Sequence, residues 1–445
     1  MHLTRRITIL LLAAASVMWM LVLPLNLSAA DAATGAPEID YARFAYVYHI
    51  ESGTEMFVKN GDTKCYPAAS VKLMTGLIAA EHLYTQQSRK VIVTAEELQG
   101  VRGNNIGLKV GEELTVGDLL AALITGNAND AAQVLAYEIA GGIEPFVKMM
   151  NARAAELGMN STVYTNVTGL HDAAMVTTVR DTAKVALACY RNDTFLELSG
   201  EVRYVLAPTN INRSERRITN KNLFICDTID DRYRNRYMLG LNAGSTPQAG
   251  HCVTAICDNG YYTYLCIVMG ASSDADHIYS YVECSKLLDW AFEGYEYKTV
   301  LNRSEVIGEI PVTLSSKTDF VSALPERSVE MYLPTDIDVS SDMSRVVSFS
   351  VGSLSAPVPE GLEVGELRLF YRGELVDTVK LVTKYPVDRS ELEYRKGQLK
   401  TLIKQPVFKI SAAVLALLGV MYVLLVAFIR SRRARRRKSR DIIKR

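Results

Sequence analysis

The chain has 445 residues, 49% apolar and 22% charged, with a mean hydropathy of +0.07; that length suits two or three folded domains, and the composition excludes an intrinsically disordered chain. With 28 Gly, 13 Pro and 7 Cys it is also no collagen, low-complexity chain or disulfide miniprotein, and no solenoid or propeller period repeats along it. The formal charge of zero is sorted: eleven Lys or Arg against one acid from Pro406 onward, and two Arg against one Asp in the first 32 residues, leave 36 basic and 47 acidic residues in an acidic body, which argues against nucleic acid as a partner.

Arg5 and Arg6 precede an apolar run over 7–25 and the small-residue stretch Ser28-Ala29-Ala30-Asp31-Ala32, which reads as a secretory signal over 1–32, cut after Ala30 or Ala32, with an uncleaved anchor as the alternative. β-Branched and aromatic residues over 44–58 around Glu51-Ser52-Gly53 predict a hairpin. Residues 68–82 carry apolar side chains at helical spacing, and further helices are expected at 116–123, 130–140, 143–157 and 178–190. Residues 239–255 and 261–271 read as strands, and 278–292 as a helix. The first domain, 36–296, is thus expected to be α+β, its antiparallel sheet assembled from both sequence ends around a helical insert. Short alternating runs at 306–312, 328–332, 346–351 and 367–371 predict a small all-β domain over 297–389. A polar stretch over 390–409 reads as a stalk. Residues 410–429 are uncharged and about 20 long, enough to cross a hydrocarbon core of ~30 Å, and the Arg-rich tail 430–445 puts that end in the cytoplasm and the body outside. The seven cysteines leave at least one thiol without an intrachain partner, and Cys252, Cys257 and Cys266 sit in apolar runs as small hydrophobes would. Without a C-x-x-C pair a zinc site has little support, and no cofactor is expected.

Six segments carry a more specific message. Tyr66-Pro67-Ala68-Ala69-Ser70-Val71-Lys72-Leu73-Met74-Thr75 resembles the start of the nucleophile helix in the serine D-Ala-D-Ala carboxypeptidases, the low-molecular-mass penicillin-binding proteins. Gly107-Leu108-Lys109-Val110-Gly111-Glu112, Ala128-Asn129-Asp130-Ala131-Ala132, Met150-Asn151, Glu156-Leu157-Gly158-Met159 and Thr165-Asn166-Val167-Thr168-Gly169-Leu170 follow in that family's order. The resemblance spans about 36–295 and implies a penicillin-binding-protein or β-lactamase-like transpeptidase domain, followed by the small β domain.

Chemistry in that family needs three elements in one cleft. A Ser and a Lys three residues later share a helix face, so the amine can take the hydroxyl proton during acylation. An S-x-N loop adds a relay hydroxyl and a substrate-holding amide, and a K-T-G strand grips the substrate carboxylate beside a backbone oxyanion site. On this chain the resemblance puts Ala69 at the nucleophile and Lys72 at the base, Asn127-Ala128-Asn129 at S-x-N, and Asn242-Ala243-Gly244 at K-T-G. Only Lys72, Asn129 and Gly244 keep the family's residue type. Ser70 lies ~100° around the helix from Ala69 and two positions from Lys72, where side chains do not face each other. Thr75 lies on the wrong side of Lys72, and His251 and Asp258 have no serine placed beside them by the sequence. The expectation is therefore an anchored, non-catalytic homologue that contacts peptidoglycan stem peptides or a wall-synthesis protein. The alternative is an active carboxypeptidase using Ser70 or another nucleophile; a β-lactamase-like hydrolase meets the same objection.

Overall fold

The computed structural model describes residues 35–442; the expected signal at 1–32 and the last three residues of the basic tail lie outside them. Two compact units form, one reaching Glu296 and taking in Pro334–Asp336, the other holding Tyr297–Leu333 and everything from Ile337 on.

The first unit opens with β1 (Ala42–His49) and β2 (Thr54–Lys59), an antiparallel hairpin whose turn is relieved by Gly53 at φ +71°. One 3-10 turn, Ala68–Ser70, then leads into α1 (Val71–Leu83), buried on nearly every side. That fits a sequence apolar all round, as a central helix must be. β3 (Lys90–Ile92) pairs with β4 (Glu113–Thr115), and α2 (Val116–Ile124) starts at a capping box between Thr115 and Asp118. α3 (Asn129–Ala140) stops at Gly141 in the left-handed region, followed by α4 (Ile143–Glu156), α5 (Val179–Tyr190) and α6 (Asp193–Gly200). A hairpin of β5 (Arg203–Leu206) and β6 (Arg216–Thr219) precedes β7 (Met238–Thr246), β8 (Gly250–Asp258), β9 (Thr263–Ala271) and the closing helix α7 (Tyr279–Gly294).

These strands build a five-stranded antiparallel sheet in the order β2-β1-β9-β8-β7. The first and last parts of the unit therefore meet at β1 and β9, with the helices between them as an insert. Strand alternation sends β9 side chains to two cores. Leu265, Ile267 and Met269 join the core of the helical insert, whereas the Tyr264 hydroxyl donates to the Ala291 carbonyl and Cys266 lies against Cys284, both on α7. β7 is left as the edge strand, open to the first turn of α1.

In the second unit, β10 (Tyr295–Leu301) pairs with β13 (Val329–Pro334), while β11 (Gly308–Thr313), β12 (Phe320–Pro325), β14 (Met343–Phe349), β15 (Leu354–Ser355), β16 (Glu363–Tyr371) and β17 (Glu374–Thr383) form a sheet ordered β14-β16-β17-β12-β11-β15. Val321, Ala323, Val364, Leu367, Leu369, Val379 and Leu381 fill its core. The expected stalk is helical, α8 (Glu391–Lys404), capped by Ser390 through the Glu393 amide. α9 (Pro406–Ile442) follows; its stretch from Pro406 to Arg433 is long and apolar enough to cross a membrane, with a mean hydropathy of 2.8 in its most apolar window.

The single strand run expected at 239–255 is two strands. Pro247 lacks an amide donor, and the Thr246 hydroxyl accepts from Ala249 to close the turn between them. All seven cysteines are buried free thiols.

Candidate functional site

The site begins with how the first turn of α1 is held. Pro67 sets its own φ at −74°, and Ala68 follows at φ +49°, a left-handed conformation uncommon for a residue with a side chain. The turn fits because Gly169 lies directly against it: a Cβ at Gly169 would fall 2.1 Å from the Ala68 carbonyl oxygen. Asn166 shapes that neighbouring loop, its Oδ1 accepting from the backbone amides of Thr168 and Gly169 and from the Thr168 hydroxyl. The loop in turn presents the Thr168 carbonyl to Lys72, whose Nζ donates to it at 2.6 Å. Lys72 is 5% exposed. Burial disfavours its charged form and brings its pKa down to about 7.

Ala69, Asn127 and Gly244 meet at one point. A Cβ built on Gly244 would come within 2.5 Å of the Ala69 methyl and 3.5 Å of Asn127 Nδ2, so only glycine lets β7 approach this closely. Asn127 also sits in the left-handed region, at φ +54°, a conformation asparagine tolerates well. Its Nδ2 donates to the Ala243 carbonyl at 3.0 Å, and its Oδ1 is buried without a partner. The nitrogen is the atom that faces β7, because a carbonyl can only accept. The loop is tied down from behind as well: Asn104 Nδ2 donates to the carbonyls of Gly126 and Asn127. Asn129 donates its Nδ2 to the Arg102 carbonyl at 2.6 Å, leaving its own Oδ1 buried and unpaired. Asn242 and Ala243 are buried in β7.

The structure thus brings together the three segments singled out in the sequence. Among Ala69, Lys72, Asn127, Asn129, Asn242, Ala243 and Gly244 there is no hydroxyl, and Lys72 is the one cation. The hydroxyls closest in sequence to Lys72 are committed elsewhere: Ser70 Oγ donates back to the Pro67 carbonyl at 2.7 Å, and Thr75 Oγ1 donates to the Val167 carbonyl at 2.9 Å. His251 and Asp258 are not brought together. They stand seven residues apart on β8, about 23 Å in an extended strand and on opposite faces. His251 is held below the usual histidine pKa by burial.

Two other motif residues, both buried, brace the 106–112 segment. The Asp130 carboxylate accepts from the backbone amides of Ile106 and Leu108, and Glu112, fully buried, pairs with Arg216 at 2.5 Å and accepts from Thr209. Among the described residues no group of three or more His, Cys, Asp or Glu could hold a metal ion.

The profile of the S11 peptidase family, D-alanyl-D-alanine carboxypeptidases, matches residues 30–273. The chain belongs to that family. It is 28% identical to the D-alanyl-D-alanine carboxypeptidase DacF of Bacillus subtilis over 340 residues, covering 75% of this chain and 83% of that one. Among solved structures it resembles penicillin-binding protein 6B of Escherichia coli, with a TM-score of 0.57 and 25% identity over 78% of this chain and 96% of that one. Penicillin-binding protein 5 of Haemophilus influenzae shares the fold, with a TM-score of 0.56 and 22% identity over 79% of this chain and 99% of that one. The S11 fold is therefore the mixed α+β architecture described above, in a family of cell-wall metabolism.

Sequence reasoning overlooked several contributors to this S11 cleft. The Thr168, Ala243 and Arg102 carbonyls that accept from Lys72, Asn127 and Asn129 are backbone groups, which no side-chain motif marks. Gly169 was inside a recognised segment, but its packing on Ala68 is a matter of shape that the sequence does not encode locally.

Proposed function

We propose that this S11 homologue is a single-pass membrane protein whose extracytoplasmic body binds rather than hydrolyses, contacting peptidoglycan stem peptides or a wall-synthesis protein. One observation carries the reading: a methyl group, that of Ala69, stands one helical turn before Lys72, where the family's nucleophile is expected. Loss of a covalent nucleophile costs several orders of magnitude in rate, and partners that act as a unit add little once it is gone. Replacement of the relay serine by Asn127, and of the gripping lysine and threonine by Asn242 and Ala243, fits a cleft released from that chemistry. The apolar stretch at the start of α9, followed by Arg430, Arg432 and Arg433, supports an anchor with a cytoplasmic tail.

The family norm favours a second reading, an active carboxypeptidase that removes the terminal D-Ala with Ser70 as nucleophile. Against it stand the Ser70 bond to Pro67 and the two-residue spacing to Lys72. Fluorescent penicillin added to the full chain in detergent decides between the two. The binding reading expects no covalent label and retention of the chain on immobilised muropeptides. Stoichiometric label on Ser70 overturns it.

A further inference from the structure

A cavity of about 450 Å³ lies at the far end of β7 from Gly244, and none of the S11 motif residues lines it. One wall is the segment entering β7, with Arg234, Arg236 and Tyr237; the floor is α7, with Leu288 and Phe292, and Asp289 and Glu293 stand on the same helix. Its volume is in the range of small-ligand pockets, ~300–1,000 Å³.

The wall is fixed by backbone bonds. The Asn235 amide donates to the Phe224 carbonyl, Met238 to Asn235, and Asp258 to the Tyr237 carbonyl. Arg236 is steadied over the Tyr237 ring, 4.7 Å from its centroid. Charges on the two sides do not cancel: no ion pair joins Arg234 or Arg236 to Asp289 or Glu293, although all four line the same cavity. The carboxylates crowd each other as well, Asp289 being raised above its ordinary pKa by partial loss of water on the cavity side and by Glu293. Leu288, 1% exposed, provides apolar floor between two charged walls.

A ligand bearing a single charge would satisfy one wall and confront the other. A purely apolar one would strip water from four charges without replacing it. We infer that this cavity is a binding site for a short zwitterionic peptide, its free carboxylate against Arg234 and Arg236 and its free ammonium against Asp289 and Glu293. Guanidinium groups grip carboxylates in a planar fork, and a compact ammonium suits the paired carboxylates. Such a peptide has two sources, a wall stem ending in a D-residue or the free end of a protein made of L-residues. The inference stands apart from whether the cleft at Ala69 is catalytic.

The test is calorimetric titration of the full chain in detergent with lysyl-D-alanine and lysyl-L-alanine, each with free amines and a free carboxylate. Binding is expected for at least one of them. It should weaken at least tenfold when the amines are acetylated, when the carboxylate is amidated, in Arg234→Ala/Arg236→Ala, and in Asp289→Asn/Glu293→Gln. All four side chains are exposed, so these variants keep the fold, and an unchanged circular dichroism spectrum checks it. A preference for the D or L dipeptide assigns the source. Absence of binding by both dipeptides, equal binding of the blocked forms, or affinity unchanged in both double variants overturns the inference.

Discussion

Asn127 Nδ2 donates to the carbonyl of Ala243, joining the loop before α3 to the edge strand of the sheet. An amide at residue 127 thus acts as a tie between the helical insert and β7. Its stabilising contribution is separable from any catalysis.

The tie predicts a stability effect. In Asn127→Ala the hydrogen bond is lost, worth about 1 kcal/mol, and an alanine is left at φ +54°, costing ~1–2 kcal/mol more. Asn127→Gly loses the bond but relaxes the backbone, so it should lie between Asn127→Ala and the wild type. Urea unfolding followed by Trp290 fluorescence, which reports α7 of the first unit, ranks the three. Equal stability of Asn127→Ala and wild type means the bond contributes nothing.

Lys72 makes stability depend on pH. Its folded pKa is about 7 against 10.5 for the free side chain, so between those values the unfolded chain holds a proton that the folded chain does not. Stability from this group therefore rises with pH through that window, by about 1.4 kcal/mol per unit at the steepest, and the penalty of burying the ammonium is fully present below pH 7. Lys72→Met should exceed the wild type in unfolding free energy at pH 6, with the gap narrowing towards pH 10. A gap that stays constant with pH shows that Lys72 is not held near neutrality.

Gly169 offers a steric test. Gly169→Ala would set a Cβ 2.1 Å from the Ala68 carbonyl oxygen in addition to fixing a residue at φ +79°. Gly158→Ala imposes a similar backbone cost at φ +72° with open space around it. The second should cost ~1 kcal/mol and the first several more, since overpacking adds ~1–3 kcal/mol to the strain. Similar melting temperatures for the two variants contradict this packing of the 166–170 loop on the first turn of α1.

Ala69→Ser alone should not restore penicillin acylation at a family-like rate. The new hydroxyl would stand one helical turn before Lys72, but Asn127 supplies no relay, and Asn242 and Ala243 offer neither cation nor hydroxyl to the carboxylate. One missing charge-assisted hydrogen bond is worth roughly 1.5–3 kcal/mol, one to two orders of magnitude. Ala69→Ser combined with Asn127→Ser, Asn242→Lys and Ala243→Thr should label measurably. Rapid labelling of the single variant shows that the other two motifs matter little.

Topology has its own readout. With a tag placed after Arg445, protease added to intact protoplasts should remove the body as far as Gln405 and leave the tag protected. Digestion of the tag in sealed cells places the tail outside.

Much of the fold was legible because it rests on periodicity. The apolar spacing of α3 and α5 and the β-branched and aromatic residues of β1 and β2 are local signals that tertiary packing reinforces. The turn at Pro247 divides β7 from β8 at the polar run Ser245-Thr246-Pro247-Gln248, a turn signal that reading 239–255 as one strand passes over. Helix α6 and the β5–β6 hairpin are short and largely polar, so neither periodicity nor composition marks them. At the site, residue types could be read at Ala69, Lys72, Asn127 and Gly244. Their mutual distances could not, because they depend on a left-handed Ala68 and on backbone carbonyls contributed by segments far away in sequence.

The pairing of β1 with β9 also constrains the order of events as the chain folds. Ala42 lies opposite Ala271, so the sheet stays incomplete until more than half of the protein has been delivered. Closing a loop of that length precedes any reward from the strands it joins, which makes formation of the sheet slow compared with its helices. Until β9 docks, β1 and β2 are a bare hairpin with one apolar face uncovered, marginal by themselves in water. The interval between synthesis of β2 and synthesis of β9 is therefore the period of greatest exposure to aggregation and proteolysis, and a holding chaperone or a tethered N-terminus acts with most effect during it.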